Sequence, residues 1–558
     1  MTERIITADK KYLLVPVGKQ WFNFVSTAGI QFLQIFRDGE LTEEYELTLD
    51  PEPRSWSPIY LEKYPPHTEL TVRLTGGQEE LIELLKLSDS FADRIPVYSE
   101  PKRPLCHFSP AHGFLNDPNG LFYYRGEYHY FSQLNPFGYT PCNTHWLHAV
   151  SRDLYHWKEL PYAILPGPEG RIYSGSGVVD YENHSGLGRG EDAPILLFYT
   201  MAGGKSRWSR GKPFQIGMAC STDGGKTFEK YPGNPLVPNL SFANRDPKVV
   251  WCEEAGKWIM AIYLDSDRYL LMTSRNLLDW TQSQILEVPG SAECPDLFRM
   301  RLDGRPDTYK WVFWGCTDNY IVGHMDETGK FIAETEVIPG PSHRIHRADW
   351  RSARSTGGYA AQTYFGAPED RVIQQAWLRP RTKDTPFLSC VSVPNELYLV
   401  TTPEGPRLRV LPAREIENMY ESTFEVHNRG IEEFERLPRD IFSECMDIRL
   451  TADIHPGRVF AVSVRGVLVV YDPNTGYLLL PTSAFEIGKD LKQLELRFVT
   501  DRLSVEIYAR GGLLNTAVCQ ELDPFETALK PIWVESDFSF DLTAHKLGSI
   551  WETESGNP

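Results

Sequence analysis

The stretch NDPNGLFYYRGEYHYFSQLNP, residues 116–136, sets an acidic turn against a hairpin-sized run of aromatic and β-favouring residues. The arrangement recurs as Arg245-Asp246-Pro247 ahead of KVVW, and as Glu293-Cys294-Pro295-Asp296 ahead of LFRM. Proline removes a ladder donor and holds the residue before it extended, so each acid is expected where a strand begins. Turn chemistry alone accounts for any single Asp-Pro. Three at equivalent places in a β-rich repeat point instead to carboxylates gathered at one spot. Glycosyl transfer needs that arrangement, with one group as nucleophile and another as proton donor.

Working outward, hairpin-sized segments recur from about 105 to 412, among them HAVSRDLYHWKEL, PILLFYTMAGG, KVVWCEEAGKWIMAIYL and GGYAAQTYF. Inner strands are expected to start near Asp117, Ser174, Asp246, Glu293 and Tyr359. These starts lie 47 to 72 residues apart, room for a four-stranded sheet and its loops. Five starts predict a five-bladed β-propeller over residues 98–412, because radial repetition brings the first strand of every unit to one axis. Residues 1–97 carry KYLLVPV, WFNFVST, FLQIF and ELTVRL and read as an N-terminal β-sandwich-like domain. The Pro-rich SEPKRPLCHFSPAHG leads out of it. Residues 413–422 read as a linker helix. Residues 423–558, with DPNTG as a hairpin turn between VVY and YLLL, read as a C-terminal β-sandwich. The expected fold class is all-β.

At 558 residues the chain exceeds a single core. A formal net charge of −18 leaves no basic face for nucleic acid or an anionic membrane, whereas a neutral small-molecule carbohydrate is compatible with it. No apolar run is long enough to cross a bilayer, and MTERIITADKKYLLVPVG lacks a signal-type apolar core, so the reading is cytoplasmic. Nine cysteines form no CxxC, so neither a disulfide framework nor a zinc site is expected, and no cofactor or metal is called for. His107, His112, His129, His145, His148 and His156 crowd one region without HExxH spacing and are expected to satisfy backbone carbonyls. GxxxxGK[ST] and GxSxG are both absent. The β-sandwich units offer surface for a homo-oligomer.

The flanking residues suggest a division of labour among the acids. Arg245 beside Asp246 is expected to hold that carboxylate ionised. Glu293, between Ala292 and Cys294-Pro295, is expected in an apolar setting that keeps its proton. Asp296 competes with it as an acid or as a calcium ligand.

These blocks resemble glycoside hydrolase family 32, the β-fructofuranosidases, inulinases and levanases. HFSPAHGFLNDPNGLFYYRGEYHYFSQLNP is similar to the family's opening block, and RIYSGSGVVD, ANRDPKVVW and AECPDLF follow in the family's order. GGYAAQTY, VSVPNELYL and LRFVTDRLSVEIYARGG extend the resemblance over about 105–558. It implies a retaining glycoside hydrolase acting on β-fructofuranosyl linkages, with Asp117 as nucleophile, Glu293 as general acid/base and Asp246 as transition-state stabiliser. Asn116, Gln133, Tyr173, Ser174, Arg245 and Trp377 would bind the fructosyl unit. The alternative is a fructosyltransferase on the same scaffold, including formation or opening of difructose anhydrides. Pro141-Cys142-Asn143 stands where the family has Trp-Gly-Asn, and ARSTGG replaces an acidic-aromatic pair, so both changes fall on the substrate rim.

Overall fold

The computed structural model describes residues 2–18, 30–90, 98–342, 355–380, 382, 384–434, 437, 441–481, 483–533 and 538–551. Strands dominate it. WFNFVST lies outside the described residues.

Between residues 113 and 412 five consecutive sheets each contain a path of four antiparallel strands. Their first strands are Gly113–Tyr124, Arg171–Val179, Arg245–Cys252, Asp296–Arg301 and Tyr359–Thr363. Each of these strands contacts the next in chain order, and Tyr359–Thr363 contacts Gly113–Tyr124, which closes the circuit. The cores close in the same order. One cluster joins Phe122 and Trp146 of the first sheet to Ile172 and Tyr199 of the second. A second joins Phe198 to Val249 and Met260, and a third joins Ile259 to Leu297 and Phe313. A fourth brings Phe298 and Val312 together with Ile373 and Leu397, and both with Leu121 and Tyr130. Strands covered on both faces lose polar alternation. Ile195–Ala202 is buried at every position, as its apolar sequence requires.

The N-terminal residues form a four-stranded and a three-stranded sheet around Leu13, Val15, Leu33, Ile35 and Leu74. That core takes in Phe114, Phe137, Tyr139 and Leu388 from the neighbouring unit, so the two pack as one body. Arg414–Met419 is a 3-10 helix, and strand Tyr420–Gly430 follows it directly. The C-terminal residues build a five-stranded sheet and six strands of a seven-stranded one across a shared core, the seventh strand being Ser355–Thr356. The seam with the circuit of sheets is partly apolar, with Val393 and Val410 packed in one cluster with Val499 and Leu547, and it encloses a buried polar group. His107 lies between Asp501 at 2.8 Å and Glu506 at 2.9 Å, and Asp501 also accepts the backbone amides of Leu105, Cys106 and His107. Cys106, His107 and Asp501 are spaced closely enough to hold a metal, but both ring nitrogens of His107 already face carboxylates.

The expectation for the other histidines needs correction. Of the six, His145 bonds to a carbonyl, that of Asn143. His112 meets the Tyr162 hydroxyl, His156 meets Asp153, and His129 pairs with His148 at 3.1 Å. His129 and His148 sit on paired strands, whereas the partner of His156 lies three residues earlier in its own loop.

Candidate active site

Asp117, Asp246 and Glu293 come from the first, third and fourth sheets and meet at the strand-start end of the circuit. Cys294 marks the meeting point. Its Sγ lies 3.7 Å from Asp117 Oδ2 and 3.7 Å from Asp246 Oδ2, and its backbone N–H donates to Asp246 Oδ2 at 3.1 Å. Asp246, Glu293 and Cys294 all have left-handed backbone, with φ of 61°, 46° and 34°. Non-glycine residues hold that conformation at a cost, and such strain clusters where side chains must be aimed.

Asp117 differs from the expectation. It is the fifth residue of strand Gly113–Tyr124 and not its start, and the register slips between Leu115 and Pro118. Pro118 has no ladder donor, so the strand tolerates it by bulging, and the bulge re-aims the acid. Ser174 Oγ donates to Asp117 Oδ2 at 2.8 Å and Gln133 Nε2 donates to it at 3.2 Å. Gln133 Nε2 also reaches Ser174 Oγ at 2.6 Å, and Gln133 Oε1 accepts Asn116 Nδ2 at 3.0 Å. Asn116, Gln133 and Ser174 thus form a connected set around one carboxylate. Asn116 Oδ1 is buried and finds no donor among the described residues. Burial, opposed by the Ser174 hydroxyl and reinforced by nearby Glu293, pushes the Asp117 carboxyl up to about 6.

Asp246 is 3% exposed. Its amide donates to Thr200 Oγ1 at 2.8 Å, and Thr200 in turn donates to the Ser174 carbonyl at 2.9 Å, tying the third sheet to the second. Arg245 Nε lies 3.5 Å from its carboxylate. The expected hold by Arg245 is present but loses to burial, which raises the carboxyl to about 7.

Glu293 is not in an apolar setting, contrary to its sequence neighbours. Its side chain is 36% exposed, with Oε1 accepting Arg245 Nη2 at 2.7 Å and Oε2 accepting the Tyr359 hydroxyl at 2.5 Å. Ala292, Cys294 and Pro295 determine how the backbone turns, whereas the carboxylate's partners come from 48 and 66 residues away. The Arg245 guanidinium lies over the Tyr263 ring, 4.4 Å from its centre. Tyr359 was expected to start a strand but had no assigned role at the site; its phenol also meets Cys316 Sγ at 3.3 Å.

Trp377 stands opposite Tyr359 in the register, their rings 6.2 Å apart, and its indole N–H is buried without an acceptor among the described residues. Tyr173 packs edge-on against Phe214. Asp296 is outside this group. It is fully buried, ion-paired with Lys248 at 2.7 Å, and accepts from Thr363 N, Thr363 Oγ1 and Leu297 N. Those contacts pin three sheets together and leave Asp296 no part as an acid or a calcium ligand.

Chemically, the half-buried Asp117 and the buried Asp246 share one thiol contact, and a third carboxylate at the opening is held by a guanidinium and a phenol. Residues 107–412 match the family model described as the glycosyl hydrolases family 32 N-terminal domain. The chain is 33% identical over 462 residues to the levanase of Bacillus subtilis (strain 168), an alignment covering 74% of this chain and 66% of the levanase. It is 39% identical over 254 residues to the invertase of Schizosaccharomyces pombe (strain 972 / ATCC 24843), covering 41% and 42%. It therefore spans just under two thirds of the one relative and under half of the other. Among solved structures, the exo-inulinase of Aspergillus awamori superposes with a TM-score of 0.68 at 25% identity, covering 81% of this chain and all of that one. With more than half its length matched, the chain belongs to glycosyl hydrolase family 32.

Proposed function

We propose that this protein is a retaining β-fructosidase acting on fructo-oligosaccharides or related fructosides. We infer that the five sheets are the blades of a five-bladed propeller, with the site at the strand-start end of its axis. The observation that carries the reading is the convergence of Asp117 and Asp246 on Cys294, one residue from a Glu293 that holds two directional partners. Similarity to a levanase, an invertase and exo-inulinases supports the substrate class.

In the proposed reaction Asp117 attacks the anomeric C2 of the fructosyl unit while Glu293 gives its proton to the departing glycosidic oxygen. The C2–O bond breaks with its electron pair going to the leaving sugar, and a fructosyl ester forms on Asp117. Glu293, now a carboxylate, takes a proton from water as that water attacks C2 and frees Asp117. Ser174 and Gln133 orient the nucleophile through hydrogen bonds to its carboxylate. Asp246, rigidly held, accepts from fructosyl hydroxyls as positive charge develops at C2. Arg245 and Tyr359 hold the Glu293 side chain in place as it cycles between acid and base. Analysing the products from sucrose, 1-kestose, inulin and levan tests this. Free fructose with no longer or cyclic product supports hydrolysis. Elongated or cyclic sugars would reassign the enzyme as a transferase, and inert substrates would dismiss the reading.

A further inference from the structure

The N-terminal sheets do more than flank the catalytic unit. Strand Glu40–Leu47 delivers Glu46 to the site's edge, where Oε2 accepts Arg171 Nη2 at 2.6 Å. This pair is largely enclosed, with side chains 12% and 15% exposed. Asn143 clips the same residue from the other side: its Oδ1 accepts the Glu46 amide at 2.8 Å and its Nδ2 donates to the Glu46 carbonyl. Asn143 itself has left-handed backbone, at φ 43°, and Tyr45 stacks on His145 two residues further on. The loop before the His145–Ser151 strand is thus shaped by the N-terminal module.

Arg171 occupies an informative place. It is the first residue of the strand that carries Ser174, the partner of Asp117. The acids lie near or just ahead of their strand starts, so the entrance is at that end and Arg171 is further out than Ser174. Its Nε is buried with no acceptor among the described residues. A sugar attached to a fructosyl unit seated at the acids would extend toward that end. A hydroxyl of that sugar would supply the missing acceptor.

We propose that strand Glu40–Leu47 forms one wall of the leaving-group subsite, and that Glu46 is a positioning residue that fixes Arg171 for a saccharide leaving group. The inference rests on the proposed β-fructosidase activity. A bidentate-capable guanidinium held by a carboxylate is pre-organised, and losing one such charged hydrogen bond costs about tenfold in affinity.

The test is steady-state kinetics of Glu46→Gln on sucrose, 1-kestose and longer fructo-oligosaccharides, with fructosyl fluoride as a donor lacking a leaving sugar. KM for the oligosaccharides is expected to rise about tenfold, with kcat and fructosyl fluoride turnover within about twofold of wild type. Arg171→Met should give the same pattern, and the double variant should add little to either single change. Glu3→Gln breaks the Glu3–Arg73 pair on an outer strand of the same module and should leave all constants unchanged. If Glu46→Gln melts early, Arg171→Lys carries the same prediction, since it keeps the charge and loses the fork. An unchanged ratio of KM between oligosaccharide and fructosyl fluoride, in a folded variant of an active enzyme, overturns the inference alone. Wild-type protein that cleaves none of these donors overturns the proposed activity, and this inference with it.

Discussion

Replacing Asp246 by Asn should make the protein more stable while abolishing its turnover. Asp246 is 3% exposed, and burial outweighs Arg245 to hold its carboxyl at about 7 against an ordinary 3.8. That displacement corresponds to a penalty of roughly 4 kcal/mol on the ionised form in the folded state. Coupling to Asp117 and Glu293, and the cost of burying an amide, bring the expected gain down to about 2 kcal/mol, a few degrees in melting temperature. The sign fixes the pH window. Below about pH 4 the carboxyl is protonated in folded and unfolded chains alike, so wild type and variant should melt together. Between about pH 4 and 7 the unfolded chain ionises and the folded one resists, so wild type should lose ground steadily. Above about pH 7 the gap should be constant. Thermal melts of both proteins from pH 4 to 8 measure this directly. A variant that melts lower than wild type at pH 8, or a gap that ignores pH, would refute the claim that the site stores electrostatic strain.

Other consequences can be measured separately. The acid limb of kcat/KM should fall with apparent pKa values near 6 and 7, shared by the coupled Asp117 and Asp246; a limb near 4 would contradict their burial. Tyr359→Phe removes the phenol bonded to Glu293 and should lower kcat by about tenfold at constant melting temperature. Full activity in that variant would show the contact to be idle. At the seam with the C-terminal sheets, burial opposes charge on His107, but the hydrogen bonds its ring donates to Asp501 and Glu506 overcome it and raise its pKa to about 9. That stabilisation is complete below about pH 6.5 and is lost as pH rises through about 9. His107→Gln should therefore melt lower than wild type at pH 6, and the difference should shrink by pH 10; a constant difference would show the imidazole is neutral throughout.

Much of this molecule can be read from local sequence. Apolar runs such as ILLFYTMA become strands buried on both faces, and the positions named as inner-strand starts fall in or beside the first strands of the five sheets. What local sequence hides is set by distant contacts. Glu293 reads as apolar because Ala292, Cys294 and Pro295 flank it, yet its carboxylate meets Arg245 and Tyr359 from two other sheets. Asp246 reads as ionised because Arg245 adjoins it, yet depth in the fold decides the balance. Asp117 reads as a strand start, and only the register shows the bulge that turns it. Glu46 carries no local mark at all; its contact with Arg171 spans 125 residues.

In the proposed reaction Asp117 and Glu293 work in turn on one anomeric carbon. Intact-mass analysis of Glu293→Gln protein mixed with fructosyl fluoride tests it most directly, since that donor needs no acid to leave and the variant has no base to release the ester. A stable adduct of one fructosyl unit is expected on the peptide holding Asp117, absent when Asp117 is also replaced by Asn. An adduct on another residue, or inverted fructose released with no adduct, would contradict that reaction.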